Sequence, residues 1–346
     1  MKADIRDIAE MAGVSIATVS RAFSNSSVVS EKTLRKVLDA ADKLNYVPSQ
    51  NARYLKKSQS DNVAVLVRGM DNPLFAGMIH TIERRLIEKG YSMIVQSVEE
   101  HQNEMHVAAN LHHERKLCGA IFLGGLYSDN AEDFARLEGL PCVFITFEPG
   151  EDVDRSAYSS VLVDDEGEVC RAAELLIGQG HRHFCFLAKD VLTGDTTGSR
   201  RLRGVRLAMQ EHGIQESQLS VIDSEYTIAD GYRQMMRYYP EHRETTAVIC
   251  GSDTIAIGVT KALLTQGVRV PQDVSVIGFD GIDAASYYHP AIGSIVQPAK
   301  EMAGTGIDLL FRMLDGEGSG HVVCSCSFEC RDTVGSGSHA EKGALV

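Results

Sequence analysis

The sequence predicts a small all-α head at the N-terminus, followed by a large α/β body of two doubly wound parallel-sheet lobes. Three observations carry this prediction. Charge is segregated: residues 1–60 hold ten Lys and Arg against six Asp and Glu, and the rest of the chain holds 24 against 41. The overall net charge of −13 is therefore the sum of a +4 head and a −17 body. Next, Gly13 separates two short stretches whose apolar residues recur at helical spacing. Finally, from Val63 onward short β-rich runs alternate with amphipathic stretches. At 346 residues the chain is too long for one ordinary domain, and its 44% hydrophobic content can bury a core without disulfides or metal.

In the head, Ile5, Ile8, Ala9 and Ala12 fall on one helical face. Gly13 supplies the tight turn, and Ser15 is a natural N-cap for a second helix running to about Phe23. A third helix after Ser30 carries Leu34, Val37, Leu38, Ala41 and Leu44 on one face and closes a three-helix core. Helix, glycine turn and helix within some twenty residues form the helix-turn-helix pattern, whose second helix reads the DNA major groove. That helix offers Ile16 and Ala17 for apolar contact with bases, Thr18 and Ser20 for phosphates, and Arg21 for a bidentate bond to guanine. Val19 faces the core. Glycine-linked helix pairs also occur in bundles that bind no DNA, and the motif alone leaves that reading open.

The run Asp-Ile-Arg-Asp-Ile-Ala-Glu-Met-Ala-Gly-Val-Ser-Ile-Ala-Thr-Val-Ser-Arg, residues 4–21, resembles the DNA-binding head of the lac repressor/galactose repressor (LacI/GalR) family of bacterial transcription regulators. The similarity extends to about residue 333. It implies a helix-turn-helix domain over residues 1–47 and operator DNA as partner. Residues 48–62 on their own read as a flexible linker opened by Pro48. The resemblance implies instead a hinge helix that folds when two copies meet in the minor groove. Asn51, Ala52 and Leu55 would then contact DNA, with Leu55 as the apolar wedge that kinks the duplex.

The strand candidates of the body are Val63–Val67, Met93–Gln96, Ala120–Leu123, Cys142–Ile145, Val161–Val163, Phe184–Leu187, Val221–Ile222, Ala247–Cys250 and Val274–Gly278. Gly90, Gly180, Gly213 and Gly267 stand where a helix hands over to a strand. Continuous apolar strands joined by crossover helices mean parallel sheets covered on both faces, and nine strands exceed one ordinary sheet. Two lobes with a ligand crevice at their strand ends form the periplasmic-binding-protein-like arrangement. The resemblance agrees and implies crossings between lobes within an effector-binding and dimerisation domain at 63–333. Lobe 1 would hold about 63–160 plus 293–322, and lobe 2 about 161–292 plus 323–333. Residues 334–346 read as a disordered Gly/Ser-rich tail.

Six positions are candidate effector-binding residues, and of these Arg201, Asp280 and Tyr226 match positions of the family. Arg201 lies in an Arg-x-x-Gly stretch and Asp280 ends an apolar strand run. A carboxylate accepts from vicinal hydroxyls while a guanidinium donates to neighbouring oxygens, so the pair suits a sugar. Asp253 either joins them or N-caps the helix it begins. Tyr226 would lie against the ligand's flat face, and Phe75 would do the same from lobe 1 or simply pack its helix. Gln297 would bond ligand or backbone. The chain departs from the family pattern at Ser252, where many members have Asn, and at Gly281, where a second aspartate is common. Asp195 stands near an arginine of purine-binding members, which weakens a purine reading.

Enzyme signatures are absent: no Gly-x4-Gly-Lys-Ser/Thr loop, no Gly-x-Ser-x-Gly elbow and no His-Glu-x-x-His. No cofactor is expected. Cys324, Cys326 and Cys330 would share a strand face, but their spacing does not make a zinc site, and His181-Arg182-His183 reads as structural, so no metal is expected. The N-terminus lacks a secretory h-region and no apolar run reaches membrane-span length, which points to the cytoplasm. The expectation is a homodimeric sequence-specific DNA-binding regulator, a repressor, controlled by a small molecule of sugar type between its lobes. A purine, a phosphosugar or a protein corepressor is the alternative effector. A solute-binding protein or an enzyme on the same scaffold is the alternative class, against which stand the basic head and the missing motifs.

Overall fold

A computed structural model describes residues 5–24, 29–44, 60–125, 131–192 and 194–336. The chain divides into two compact units, Met1–Ser60 and Asp61–Val346.

The first unit has three helices, α1 (Ile5–Ala12), α2 (Ile16–Ser24) and α3 (Glu31–Lys43). Gly13 makes the turn at φ +65°, and Ser15 Oγ accepts from Thr18 N at 3.1 Å as the cap of α2. Ile8, Ala9, Ala12, Val19, Ala22, Val37, Ala40 and Ala41 form a closed miniature core. Leu38 was expected in it and is instead 44% exposed. Val37, Ala40 and Ala41 face the other helices, with Leu34 and Leu44 packed against the same core, and Leu38 falls on the outer flank.

The second unit holds twelve strands: β1 (Asn62–Arg68), β2 (Ser92–Val98), β3 (Leu117–Leu123), β4 (Cys142–Ile145), β5 (Ser159–Val163), β6 (Phe184–Ala188), β7 (Leu219–Asp223), β8 (Ala247–Cys250), β9 (Ser275–Asp280), β10 (Gly293–Val296), β11 (His321–Cys324) and β12 (Ser327–Glu329). They form two six-stranded sheets, ordered β11-β5-β4-β3-β1-β2 and β12-β10-β9-β8-β6-β7. Every pairing is parallel except β10 with β12. Helices cover both faces, which is why the central strands are apolar on both sides. In β1, Val63, Val65 and Val67 join Met78, Ile82 and Leu86 on one face, while Ala64 and Leu66 join Met105, Phe122 and Phe144 on the other. Gly90, Gly180, Gly213 and Gly267 end their helices at φ between +68° and +95°.

The lobes differ from the expected boundaries at their crossings. All of β5 through Val163 pairs in the first sheet, so the first crossing falls after 163 and not after 160. Strand β10 pairs with β9 in the second sheet, so the return to lobe 1 begins after Val296 and not at 293. The returning helix, Ala299–Leu314, packs on the first sheet, and β11 pairs with β5 through Cys324 before the chain crosses a third time. That third crossing separates Cys324, Cys326 and Cys330, which share no strand face as expected from their spacing: Cys324 is buried in β11, Cys326 lies between strands, and Cys330 is exposed beyond β12. The tail is also shorter than its composition suggests. Gly335 N donates to Ser275 Oγ at 3.0 Å, and Gly335 O accepts from the buried His181 Nε2 at 2.9 Å. Residues 337–346 lie outside the described residues.

Candidate functional site

The carboxyl ends of the parallel strands bring a polar cluster together where the two lobes touch. Strand β9 ends at Asp280, a non-glycine residue at φ +113° and only 4% exposed. Backbone held in that region is costly for an L-residue and persists only where its surroundings over-determine it. Here the surroundings do so: Gln297 Nε2 donates to Asp280 Oδ1 at 2.8 Å, and Gln297 N donates to Asp280 O at 3.2 Å. From lobe 1, Asn72 Nδ2 donates to Asp280 Oδ2 at 3.2 Å, while Asn72 Oδ1 caps the helix Pro73–Glu88 by accepting from Leu74 N. The other amide atom of Gln297, Oε1, is buried with no hydrogen-bond partner among the described residues.

Arg201 rises from the helix Thr197–Glu211 and is 5% exposed. Its Nε donates to Asp165 Oδ1 at 2.7 Å, one Nη donates to Gly251 O, and its guanidinium lies 3.5 Å above the Phe279 ring centre. Burial raises the carboxyl pKa values of Asp165 and Asp280 while Arg201 opposes the rise. The Arg201 guanidinium stays charged, its pKa raised by Asp165, Tyr226 and Asp280 against the effect of burial. Tyr226 is half-buried beside this group, and burial pushes its phenol up to about 12.

Asp253 is not the N-cap of its helix. Ser252 is, accepting from Ile255 N at 3.3 Å. Asp253, fully buried at the next position, accepts from Ile282 N at 2.8 Å and from Ser294 Oγ at 2.6 Å. Its carboxyl is pushed up to about 7 by burial and then by Asp280. The space it occupies exists because residue 278 is glycine; a Cβ there would lie 2.2 Å from Asp253 Oδ1. Phe75 is 7% exposed and packs over Gly69 and Gly124 at the ends of β1 and β3. The structure thus bonds Asp280 to Gln297, sets Arg201, Tyr226 and Asp253 beside that pair, and packs Phe75 over the ends of β1 and β3.

Three cleft residues escaped sequence reasoning. Asp165 reads as an acidic first-turn helix residue, and its partner lies 36 positions away. Asn72 precedes Pro73, and nothing local in the sequence indicates a bond to residue 280. Lys189, after β6, bridges Glu100 of lobe 1 at 2.5 Å and Glu225 of lobe 2 at 2.6 Å. The Glu100 loop is itself pinned by Arg68, which donates to the carbonyls of Glu99 and Glu100 and pairs with buried Glu104. Asp195 pairs with Arg200 and Arg203 on the surface.

On the head, Ile16 is 48% exposed, Ala17 is exposed, and Thr18 Oγ1 meets Ser15 Oγ at 2.8 Å. Ser20 and Arg21 stand on the same helix, but their side chains lie outside the described part, as do Asn51, Ala52 and Leu55 entirely. Among the described residues no helix is long and apolar enough to cross a membrane.

Comparison with known proteins gives two domain matches. A model of bacterial regulatory proteins of the lacI family matches residues 4–49, and one of periplasmic binding protein-like domains matches residues 173–334. The HTH-type transcriptional regulator MalR of Clostridium butyricum is 33% identical over 339 residues, spanning 95% of this chain and 98% of that protein. A crystal structure of the lac repressor dimer bound to operator and an anti-inducer superposes with a TM-score of 0.80 at 25% identity, covering 97% of this chain and all of that one. A complex of the transcriptional regulator CelR with cellobiose gives 0.70 at 25% identity, covering 96% and 100%.

Proposed function

The chain belongs to the lacI family of bacterial regulatory proteins, and from that premise we propose that a sugar bound between its lobes controls the affinity of its head for operator DNA. The protein is a sequence-specific DNA-binding transcriptional regulator of repressor type, not an enzyme. The observation that carries the proposal is the buried Asp280–Gln297 pair at the lobe contact with the charged Arg201 beside it, and an acceptor, Gln297 Oε1, that has no partner among the described residues. Polyols present alternating donors and acceptors. Asp280 accepts from hydroxyl hydrogens, Arg201 donates to hydroxyl oxygens, Gln297 Oε1 takes another hydrogen, and Tyr226 supplies a flat apolar surface. Each of these roles belongs to the proposal. The cellobiose complex of a relative supports the chemistry, and the operator-bound dimer of another supports a homodimer on a pseudo-palindromic site. In this reading the protein works in the cytoplasm.

Control follows from differential binding. A ligand that binds one lobe arrangement better than another shifts the equilibrium toward it by the difference in affinity. Asn72 and Lys189 make contacts that exist only while the lobes touch, so a ligand between them acts on that equilibrium. The hinge region 48–62, proposed to order on DNA through Asn51, Ala52 and Leu55, carries the change to the head, where Ile16, Ala17, Thr18, Ser20 and Arg21 read the site. A thermal-shift screen of neutral mono- and disaccharides tests the cleft. A ligand binding the folded form raises the melting temperature of the wild type, and Arg201→Ala removes the rise. No stabilisation by any sugar, or equal stabilisation of the variant, refutes the assignment.

A further inference from the structure

We propose that Asp165 sets the charge class of the effector: by holding Arg201 in a buried ion pair, it makes the cleft take an uncharged polyol and refuse an anionic ligand such as a sugar phosphate. This rests on the proposed sugar site and narrows it. An arginine facing a ligand cleft ordinarily serves a phosphate or carboxylate, because its fork of donors matches two oxygens and its charge matches theirs. Arg201 is not available in that way. Its Nε is bonded to Asp165, one Nη is bonded to Gly251 O, and one face is covered by Phe279. Asp165 and Arg201 are 5% and 6% exposed at their side chains, so water does not screen the pair.

The charges around the pair point the same way. Asp280 is close enough to Arg201 and Asp165 for both to act on it, and it in turn raises the carboxyl pKa of Asp253. Two carboxylates, with a third carboxyl beside them, therefore face Arg201, while Arg200, which also acts on Asp165, is engaged by Asp195 nearer the surface. The cation at the lobe contact, Lys189, already bridges Glu100 and Glu225. An incoming phosphate would meet uncompensated carboxylates in a poorly screened site, whereas hydroxyl groups can donate to Asp280 and accept from the remaining Arg201 hydrogens. Asp165 begins the helix Asp165–Gly178 immediately after the first crossing between lobes, which places it beside the cleft without making it the ligand's own acceptor. It is a positioning and charge-setting residue acting through Arg201.

Isothermal titration of the full-length protein with matched pairs tests this: glucose and glucose 6-phosphate, ribose and ribose 5-phosphate, cellobiose and cellobiose 6-phosphate. The wild type is expected to bind a neutral member at least about tenfold tighter than its phosphate. Asp165→Asn keeps an oxygen for Arg201 Nε while removing the charge, and it is expected to narrow that ratio by about tenfold. A purely structural role would weaken both members alike and leave the ratio unchanged, which overturns the proposal. A wild type that prefers the phosphate overturns it without any variant, so the test survives if Asp165→Asn fails to fold. If the wild type binds no member of any pair, the sugar reading itself is lost and this assignment with it.

Discussion

Asp253 is buried in the cleft region, bonded to Ile282 N and Ser294 Oγ. Its carboxyl is held at about 7, far above its ordinary value of 3.8, by burial and by Asp280. A folded-state pKa above the unfolded one means that stability is fully present below about pH 4 and is lost as pH rises through 7. Asn at this position mimics the protonated form: its oxygen can accept from Ile282 N, and its amide can face Ser294 Oγ, which is 3.4 Å from Ile295 O. Asp253→Asn is therefore expected to gain stability over wild type progressively from pH 4 to 8, measured by urea unfolding. A constant difference across that range would contradict the account. Arg201 and Asp280 could be proposed from the sequence because the family resemblance carries over through an Arg-x-x-Gly stretch and a strand-end aspartate, which are local patterns. Asp165 and Asn72 could not, because their partners lie 36 and 208 positions away and only the packed sheets bring them near.

At the scale of elements, the helices of the head and the central strands were the clearest. All nine apolar runs became strands, and in the central ones burial on both faces leaves an uninterrupted apolar signal. Strands β10, β11 and β12 were not among those runs. They are three or four residues long, and β11 and β12 lie at sheet edges, too short for periodicity to mark them. They are also where the chain passes between lobes, which is why the crossings were misplaced by a few residues. The cap of α2 was legible from Ser15 alone. Ser15→Ala removes the acceptor for Thr18 N and is expected to cost the head about 0.5–2 kcal/mol, read as faster amide exchange through Ile16–Ser24. The hinge belongs to this scale too. Leu55→Ala is expected to weaken operator binding and reduce the bend in gel-shift phasing; unchanged affinity and bend would remove the wedge from the account.

Across the whole molecule, the acidic body and basic head divide the work. A body of net charge −17 disfavours DNA except through the +4 head, so non-specific binding is suppressed and specificity falls to paired heads. The lobes are joined by three chain crossings and by few polar contacts. Lys189→Met removes the bridge between Glu100 and Glu225 and is expected to weaken sugar binding by about two- to fivefold, in keeping with roughly 0.5–1 kcal/mol for a partly exposed pair. Unaltered affinity in calorimetry would mean that the bridge does not favour the ligand-bound arrangement. The central claim is that ligand in the cleft is coupled to DNA reading by the head. Its most direct test is fluorescence anisotropy with an operator selected from random duplexes, titrated with and without a stabilising sugar, for wild type and Arg201→Ala. The account predicts a pseudo-palindromic operator, an affinity changed by about fivefold or more by sugar in the wild type, and no change in the variant. Sugar that binds the wild type and leaves its operator affinity unmoved, or that shifts both proteins equally, would contradict it.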